Sequence, residues 1–453
     1  MHRAIIDIPE LRGLDGTESL IRIPAEIDVP ITPRVREILD TADFRRLARI
    51  SQLGLVSLVY PAALHTRFEH SLGVYRLALL YLRQLHRDAR FNSLVTAEDA
   101  ERFIVSALLH DVGHWPFCHA LEDIHLPDLP PHEVFAQEFI HGGEIGEILR
   151  RSWNIDPAEI TPLLAGSAAG AANRILDSLL SGPIDVDKMD YLCRDSLHAG
   201  VPYGRNFDQS RLIGSLCLNE AGNQLAITQK GRTAAEMMVF SRYVMFSEVY
   251  WHHAVRSATA MLQRAFFELY GSLDLSRLFR MDEPSMIQAL LHAAAGSSAA
   301  ELLDGLFGPR RRLYKRFAQF SMFQQPDIYR RLAGRPYGSL VQLTHGIAEH
   351  LSQACDCLIA PHQVLLDAPP VEREVEIDID VYYPKEACFR PLSEVSPVVQ
   401  ALATRQFDDY VKRVRVFLCS SIADTVTDRL GDPAAVMDRV TRDGWPGSQD
   451  PPC

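Results

Sequence analysis

The sequence lacks several features that would assign it to a specialised class of protein. It has no run of about 18 apolar residues that could cross a membrane, and no apolar stretch near its N-terminus resembles a signal peptide. Its eight cysteines form no Cys-x-x-Cys pair. We therefore expect a cytoplasmic protein with reduced thiols and no membrane association, rather than a disulfide-stabilised secreted domain.

Basic charge is also in short supply. The chain has 46 Lys and Arg against 58 Asp and Glu, so its formal net charge is −12. This balance excludes a broad nucleic-acid-binding surface, because such surfaces neutralise phosphates with many Lys and Arg. The absence of a Gly-x-x-x-x-Gly-Lys-Ser/Thr loop excludes phosphate binding of the P-loop type. An anionic partner must therefore be bound by a local group of basic residues.

What the 453 residues do contain is helical periodicity, from about residue 35 to residue 355. Residues 234–270 include neither Pro nor Gly, which predicts one long helix. Strict alternation at residues 374–381 predicts a strand, and residues 413–419 are a second strand candidate. We predict a mainly α fold with three parts: an N-terminal extended segment (1–34), a helical catalytic domain (35–365) and a small α+β C-terminal region (366–453).

The most informative motif is the adjacent pair His110 and Asp111, which ends an apolar predicted helix. Gly113 and Pro116 follow the pair and break the helix. Neighbouring side chains lie about 100° apart around a helix axis, so both can reach one metal ion at the helix end. An isolated His-Asp pair is a weak signal, since it is usually a capping or surface pair. Its meaning depends on further ligands.

Two other segments supply such candidates. Arg67 and His70 share one face of a predicted helix, while Asp187, Tyr191 and Asp195 follow one another at i, i+4 and i+8. Taken alone, this second stripe is more simply explained as a solvated helix face. Only the combination of all three segments indicates a site.

Together these segments provide two imidazoles and two carboxylates, which are His70, His110, Asp111 and Asp187. A mixed nitrogen and oxygen set suits Mg, Mn, Fe or Zn and favours hydrolysis over a closed structural zinc site. Arg67 and Lys188 stand close in sequence to these ligands and could bind phosphate oxygens. The pattern therefore indicates metal-dependent hydrolysis of a phosphorylated substrate.

Ordered motifs run along more than 200 residues. They are residues 44–54 (FRRLARISQLG), 61–74 (PAALHTRFEHSLGV), 109–119, 131–133, 184–195 (IDVDKMDYLCRD) and 242–250. In this order they resemble the HD-domain phosphohydrolase superfamily, and within it the deoxynucleoside triphosphate triphosphohydrolases related to the SAM-and-HD-domain dNTPase. The resemblance implies an all-helical HD-domain core and an enzyme that releases deoxynucleoside and triphosphate from a dNTP.

The resemblance also implies roles for single residues. The implied metal ligands are His70, His110, Asp111 and Asp187. The implied catalytic groups near the α-phosphate are His114, His119, His132 and Glu122, with His119 foremost in acid–base work. Arg67, Lys188 and Arg242 would bind the triphosphate. The implied contacts to sugar and base are Gln52, Leu53, Tyr191, Asp195 and Tyr250.

The chain departs from the family pattern at two places that concern regulation. Pro24, Ala25 and Glu26 stand where relatives carry an Asp-Pro-x-His-Gly turn, and Ala48 stands where nucleotide-activated members carry a basic residue. A nucleotide activator is therefore left open.

The implied partners are a dNTP or related nucleotide and further copies of the same chain, in a dimer or tetramer. Two alternatives to dNTP hydrolysis also stay open. The chain could be another HD phosphohydrolase, acting on a nucleoside monophosphate or another phosphoester, or a nucleotide-binding regulatory protein that retains the pocket.

Overall fold

The computed structural model describes residues 3–127, 129–368, 379–402 and 411–442. The chain divides into two compact units, each built from segments that are distant in sequence. The first unit contains the described residues of Met1–Pro116, Pro130–Met245 and Val375–Thr404, and the second contains those of Phe117–Leu129, Phe246–Glu374 and Arg405–Cys453. Helices predominate, so the predicted mainly α class is confirmed.

Helices form most of the first unit. They are Pro9–Gly13, Pro33–Leu39, Ala42–Arg46, Arg67–Leu85, Ala89–Leu94, Ala97–Leu109, His132–Phe135, Gln137–Ile140, Glu144–Ile148, Thr161–Leu164, Ala171–Ser181, Val186–His198, Gln209–Ile213, Arg232–Met245, Leu392–Val395 and Pro397–Ala401. The helix Arg67–Leu85 packs against both Ala97–Leu109 and Val186–His198. Its apolar face, which includes Tyr75 and Leu82, is fully buried. This packing brings three helix ends together.

Local capping signals fix where these three helices begin. The side chains of Thr66, Thr96 and Asp185 each accept a hydrogen bond from the backbone N–H three residues further on. Thr96 also forms a reciprocal capping box with Asp99. Such caps satisfy N–H groups that have no partner inside the helix. The positions of the site residues along their helices are therefore set by the local sequence.

The strands are short. In chain order they are β1 (Leu20–Ile23), β2 (Ile27–Pro30), β3 (Leu216–Leu218), β4 (Leu225–Thr228), β5 (Lys315–Phe320), β6 (Val364–Asp367), β7 (Asp380–Tyr383), β8 (Cys388–Pro391) and β9 (Val414–Leu418). The first unit holds the β1–β2 hairpin and a sheet of order β3-β4-β7-β8, in which β4 and β7 are parallel, with Ile227 opposite Val381. The second unit holds an antiparallel sheet of order β5-β9-β6.

In the second unit the three-stranded sheet is covered by helices. The α-helices of this unit are Cys118–Glu122, His253–Leu269, Leu275–Leu278, Glu283–Ala293, Ala299–Phe307, Pro326–Leu332, Tyr337–Cys355, Ser420–Arg429 and Pro433–Arg442. Val414, Val416 and Leu418 alternate along β9 and so share one face, which joins Ile347 and Leu351 of the helix Tyr337–Cys355 in one apolar core.

The structure corrects two predictions about secondary structure. The predicted long helix over residues 234–270 is wrong, because Arg232–Met245 is followed by a π-helical turn, Phe246–Tyr250, and a new helix, His253–Leu269. The backbone of His252 is not helical (φ −56°, ψ 134°) and its side chain caps the new helix, so a break forms without Pro or Gly. The N-terminal segment is only partly extended, since Pro9 begins a short helix before the hairpin.

Other expectations have mixed outcomes. The strand predicted at residues 413–419 is confirmed by β9. Of the strand predicted at 374–381, residues 374–378 lie outside the described part of the chain, and β7 begins at Asp380. The predicted boundaries after residues 34 and 365 stay predictions. All seven cysteines within the described residues are free thiols, and none of the helices described there is both long and apolar enough to cross a membrane.

Candidate metal centre

Two histidines and one aspartate converge in the first unit. His70 lies in the first turn of Arg67–Leu85, His110 directly follows Ala97–Leu109, and Asp187 lies in the first turn of Val186–His198. The Nε2 atom of His70 is 3.2 Å from Nε2 of His110 and 3.0 Å from Oδ1 of Asp187. His110 Nε2 is 3.8 Å from the same carboxylate oxygen. Three such donor atoms could hold one divalent ion.

Asp111 adds a second carboxylate beside this cluster. Its Oδ1 atom is 3.4 Å from Nε2 of His110, and its Oδ2 accepts a hydrogen bond of 2.8 Å from Nη1 of Arg67. Burial acts to raise the pKa of the Asp111 carboxyl, but Arg67 and the nearby histidines hold this pKa well below its usual range. The carboxylate is therefore ionised and able to face a cation.

Hydrogen bonds on the far side of each imidazole fix its orientation. His70 Nδ1 lies 2.9 Å from Oδ2 of Asp190, which in turn accepts hydrogen bonds from Arg194. His110 Nδ1 lies 2.9 Å from the carbonyl oxygen of Ala107. Metal-binding histidines commonly use their second nitrogen in this way. Both rings therefore present Nε2 to the same point.

The electrostatics of the cluster favour a positive charge. Burial acts to lower the pKa of His70, yet hydrogen bonds with Asp187 and Asp190 raise this pKa to about 10. The protein without an ion thus keeps a proton among these carboxylates. A divalent cation would neutralise the same carboxylates, so the donor set fits such an ion.

Three predicted substrate-binding side chains form a group next to the cluster. The Lys188 ammonium is held by Asp185, with 2.6 Å between Nζ and Oδ2. One turn along the helix, burial raises the pKa of Tyr191, while the cations of Arg242 and Lys188 act to lower it. Lys188 and Arg242 thus both place positive charge near the Tyr191 hydroxyl.

The predicted catalytic residues are divided between the two units. In the first unit, His114 Nδ1 is 3.1 Å from Oδ1 of Asp111, and the ring of His114 lies 3.8 Å from that of His132. The structure therefore brings both histidines close to the metal-binding residues.

The second unit holds the other three predicted residues. His119 and Glu122 lie on the helix Cys118–Glu122, where His119 Nδ1 is 3.5 Å from Oε2 of Glu122. Tyr250 ends the π-helical turn Phe246–Tyr250. Their predicted roles stay predictions.

Gln52 and Leu53 lie where the chain forms a short antiparallel ladder. Ser51 is bridged to Thr66, and the backbone N–H of Gln52 donates to the carbonyl of His65 over 2.9 Å. Leu53 follows and precedes the 3-10 turn Gly54–Leu58. The ladder leads directly into the helix that carries His70.

Sequence reasoning missed three residues that complete this arrangement. Asp190 and Arg194 stand four positions apart on a predicted helix, a spacing that indicates an ion pair but gives no hint that His70 is also bound. His65 is fully buried and its Nε2 lies 2.8 Å from Oδ1 of Asp195. No sequence pattern distinguishes His65 from an ordinary core histidine. The alternative that Asp195 lies on a solvated face is wrong, because this residue is buried.

A helical fold with an adjacent His-Asp pair at a helix end, a second histidine and a distant aspartate defines an HD-type site. Residues 67–193 match the family described as HD domain, and residues 207–437, about half of the chain, match the HD associated region. The chain belongs to the HD-domain phosphohydrolase superfamily.

Similar proteins and solved structures match most of the chain. The uncharacterized protein MJ1154 of Methanocaldococcus jannaschii is 30% identical over 388 residues, which are 84% of this chain and 76% of that protein. Deoxynucleoside triphosphate triphosphohydrolase SAMHD1 of Gallus gallus is 29% identical over 358 residues, which are 67% of this chain and 57% of that protein. The crystal structure of a hypothetical protein from Aquifex aeolicus has a TM-score of 0.71 at 25% identity and covers 91% of this chain and 99% of that one.

The family and the site together support two coarse statements. The chain is a hydrolase of the phosphohydrolase class. HD domains bind divalent metals, and His/Asp clusters that could hold such an ion are present here.

Proposed function

We propose that the protein is a dNTP triphosphohydrolase, in which water attacks the α-phosphorus and deoxynucleoside and triphosphate are released. The main support is the His70, His110 and Asp187 cluster with the cations of Arg67 and Lys188 next to it. Similarity to proteins named deoxynucleoside triphosphate triphosphohydrolase supports the choice of substrate.

The residues that would hold a divalent metal ion are His70, His110, Asp111 and Asp187. When bound, such an ion polarises a phosphoryl oxygen and lowers the pKa of water. Mg, Mn, Fe and Zn all suit a mixed set of imidazole and carboxylate ligands. Asp190 has a supporting role, because its bond to His70 Nδ1 fixes the imidazole in the orientation that a ligand needs.

The cations beside the cluster would bind and orient the triphosphate. Arg67 uses Nη1 to bind Asp111, and its buried Nε has no hydrogen-bond partner among the described residues. A buried N–H of this kind is a suitable donor to a phosphate oxygen. Lys188 and Arg242 add positive charge near Tyr191. These residues would neutralise the substrate in a protein whose total charge is negative.

Release of the nucleoside requires a proton on its 5′ oxygen. His114 and His132 are the candidates in the first unit, since their rings are adjacent and His114 lies next to Asp111. A positioned imidazole can transfer a proton at neutral pH. His119 with Glu122 is the further candidate that the family resemblance supplies.

The test is a substrate panel. Purified protein is incubated with each dNTP, each NTP and each dNMP, in the presence of Mg, Mn, Fe or Zn, and with or without a second nucleotide. The proposal expects deoxynucleoside and triphosphate in equimolar amounts from at least one dNTP. Stepwise release of phosphate, or hydrolysis of monophosphates alone, would contradict it and favour another HD phosphohydrolase. Binding without any turnover would favour a regulatory protein.

A further inference from the structure

Three polar atoms lie on one face of the short ladder that pairs residues 50–52 with residues 65–67. The backbone hydrogen bonds Gln52 N–His65 O and Arg67 N–Ile50 O measure 2.9 and 3.0 Å, so the side chains of Gln52, His65 and Arg67 share a face. Gln52 Oε1, His65 Nδ1 and Arg67 Nε are all buried, and none of them has a hydrogen-bond partner among the described residues.

His65 is held rigidly. Its Nε2 bonds to Oδ1 of Asp195 over 2.8 Å, and its ring stacks on His198 with 4.4 Å between centroids and 16° between planes. His198 is itself fixed, because its Nε2 lies 2.9 Å from Oε1 of Glu69. The side chain of His65 is fully buried. Its orientation therefore does not depend on a ligand.

The bond to Asp195 decides what the other nitrogen of the ring can do. A carboxylate accepts hydrogen bonds, so Nε2 of His65 carries the proton, and Nδ1 of a neutral ring is then an acceptor. A buried acceptor without a donor costs free energy, and a folded protein rarely keeps one without reason. The ring is therefore preorganised to receive a hydrogen bond from a hydroxyl or N–H group.

The position of His65 indicates which group that is. Arg67 is at the metal end of the face, because it bonds to Asp111, and His65 is two residues away, about 6.6 Å along an extended chain. In a nucleotide whose α-phosphate lies beside Arg67, the sugar hydroxyl is the next donor at such a distance.

We infer that His65 is a specificity-determining residue whose Nδ1 accepts a hydrogen bond from the sugar hydroxyl, while its Nε2 holds Asp195 in place. The inference rests on the proposed function, since it assumes a nucleotide in this site. It assigns to His65 a direct contact with substrate that is separate from metal binding.

Two substitutions separate the two nitrogens. His65→Gln keeps an amide N–H within reach of Asp195 but removes the acceptor at the Nδ1 position. His65→Asn keeps an acceptor near the Nδ1 position but loses the contact with Asp195. His86→Gln is the matched control, because His86 follows the C-terminal end of the helix Arg67–Leu85, far along the chain from the ladder, and bonds to Asn92.

The experiment compares dATP with 2′,3′-dideoxyadenosine triphosphate, which lacks the hydroxyl. We expect wild-type kcat/KM to favour dATP by about 10- to 100-fold, the usual effect of one buried hydrogen bond. His65→Gln should reduce this ratio to within about 3-fold of unity by slowing dATP alone, and His65→Asn should retain more of it. A ratio that His65→Gln leaves at the wild-type value would overturn the inference.

Calorimetric binding of the same two nucleotides in EDTA keeps the test independent of turnover. The wild-type protein should bind dATP more tightly than the dideoxy analogue, and His65→Gln should remove the difference while His86→Gln preserves it. If the protein binds the two nucleotides in this way but hydrolyses no dNTP, the proposed function is rejected while the role of His65 in binding stands. Equal binding of the two nucleotides by the wild-type protein would reject the role of His65.

Discussion

One cluster of charged side chains in each unit shows how differently such groups can be arranged. In the first unit, His70, His110 and Asp187 point their donor atoms at one another, within 3.0 to 3.8 Å. In the second unit, Asp367 of β6 receives two hydrogen bonds from Arg256, of 2.6 and 3.1 Å, in a geometry that needs no further partner. The first cluster presents donor atoms that a cation could bind, whereas in the second cluster Arg256 already neutralises the Asp367 carboxylate.

This difference shows how buried charge can serve either function or stability. Burial acts to lower the pKa of Arg256, and Asp367 raises it above its ordinary value, so the pair stays charged. A buried pair of this kind strongly destabilises the fold when one partner is removed. Carboxylates and imidazoles whose donor atoms converge on one point can instead take up a cation, and such groups cluster at functional sites. Substitutions in the first cluster should therefore reduce activity with little change in stability, and substitutions in the second should reduce stability.

The largest effect is expected for His110→Ala. Loss of one ligand from the cluster should reduce kcat/KM by at least about 10⁴-fold, which corresponds to about 5.4 kcal/mol in activation free energy. The reason is that an ion bound too weakly to stay in place cannot stabilise negative charge on the phosphate oxygens. The thermal midpoint without metal should not fall, while the stabilisation by added Mn should be lost. Hydrolysis assays and melting curves with and without Mn measure both. His86→Ala serves as the control, and an active His110→Ala protein would contradict the assignment.

Asp367→Asn should affect stability rather than chemistry. It removes the nearest counter-charge of the buried Arg256 guanidinium and leaves only Asp123, 3.6 Å from Nη1, which should lower the free energy of unfolding by up to about 3–5 kcal/mol. Urea denaturation followed by circular dichroism measures the change. Asp327→Asn, in an exposed pair with Arg330, should leave the denaturation midpoint unchanged. Equal stability of the two variants would show that the pair of Arg256 and Asp367 does not stabilise the second unit.

Asp190→Asn should weaken metal binding without abolishing it. The amide keeps the shape of the side chain but supports His70 less well, and loss of such a partner typically weakens metal affinity by about 10- to 100-fold. Isothermal titration with Mn gives the dissociation constant. Asp195→Asn lies on the same helix but away from the ligands, so its metal affinity should equal that of the wild type. Equal losses in the two variants would reject a specific role for Asp190.

The smallest effect is expected for Thr96→Ala, which removes the cap of the helix leading to His110. Such a cap contributes about 1 kcal/mol, and its loss should appear in the free energy of unfolding with activity unchanged in the folded protein. Thr96→Ser keeps the hydroxyl and should restore most of the stability. A large loss of activity in Thr96→Ala would mean that the helix end near His110 depends on a distant cap.

Much of the candidate site could be predicted because its signals are local. The adjacent His110 and Asp111 at a helix end were visible from the helix breakers that follow them. The helix predicted from the spacing of Asp187, Tyr191 and Asp195 is present, because one continuous helix, Val186–His198, carries all three residues. The long helix over residues 234–270 could not be judged in the same way, because a π-helical turn and a cap by His252 interrupt it without Pro or Gly.

The contacts that complete the site were not visible in the sequence. Asp187 meets His70 across 117 residues, and Asp195 meets His65 across 130 residues. Nothing in the local pattern of His65 separates it from a packing residue. The roles of His119, Glu122 and Tyr250 rest on family resemblance alone and stay predictions.

Local sequence accounts for the helices that carry the site, their N-terminal caps and the donor types at their ends. Helix propensity, capping and side-chain spacing act over about four residues, so they can be recognised without a fold. Three further features depend on the tertiary structure: three helix ends meet, Asp190 supports His70, and His65 Nδ1 has no hydrogen-bond partner among the described residues. Burial and packing set these contacts, because they depend on which surfaces exclude water from each other across the whole unit.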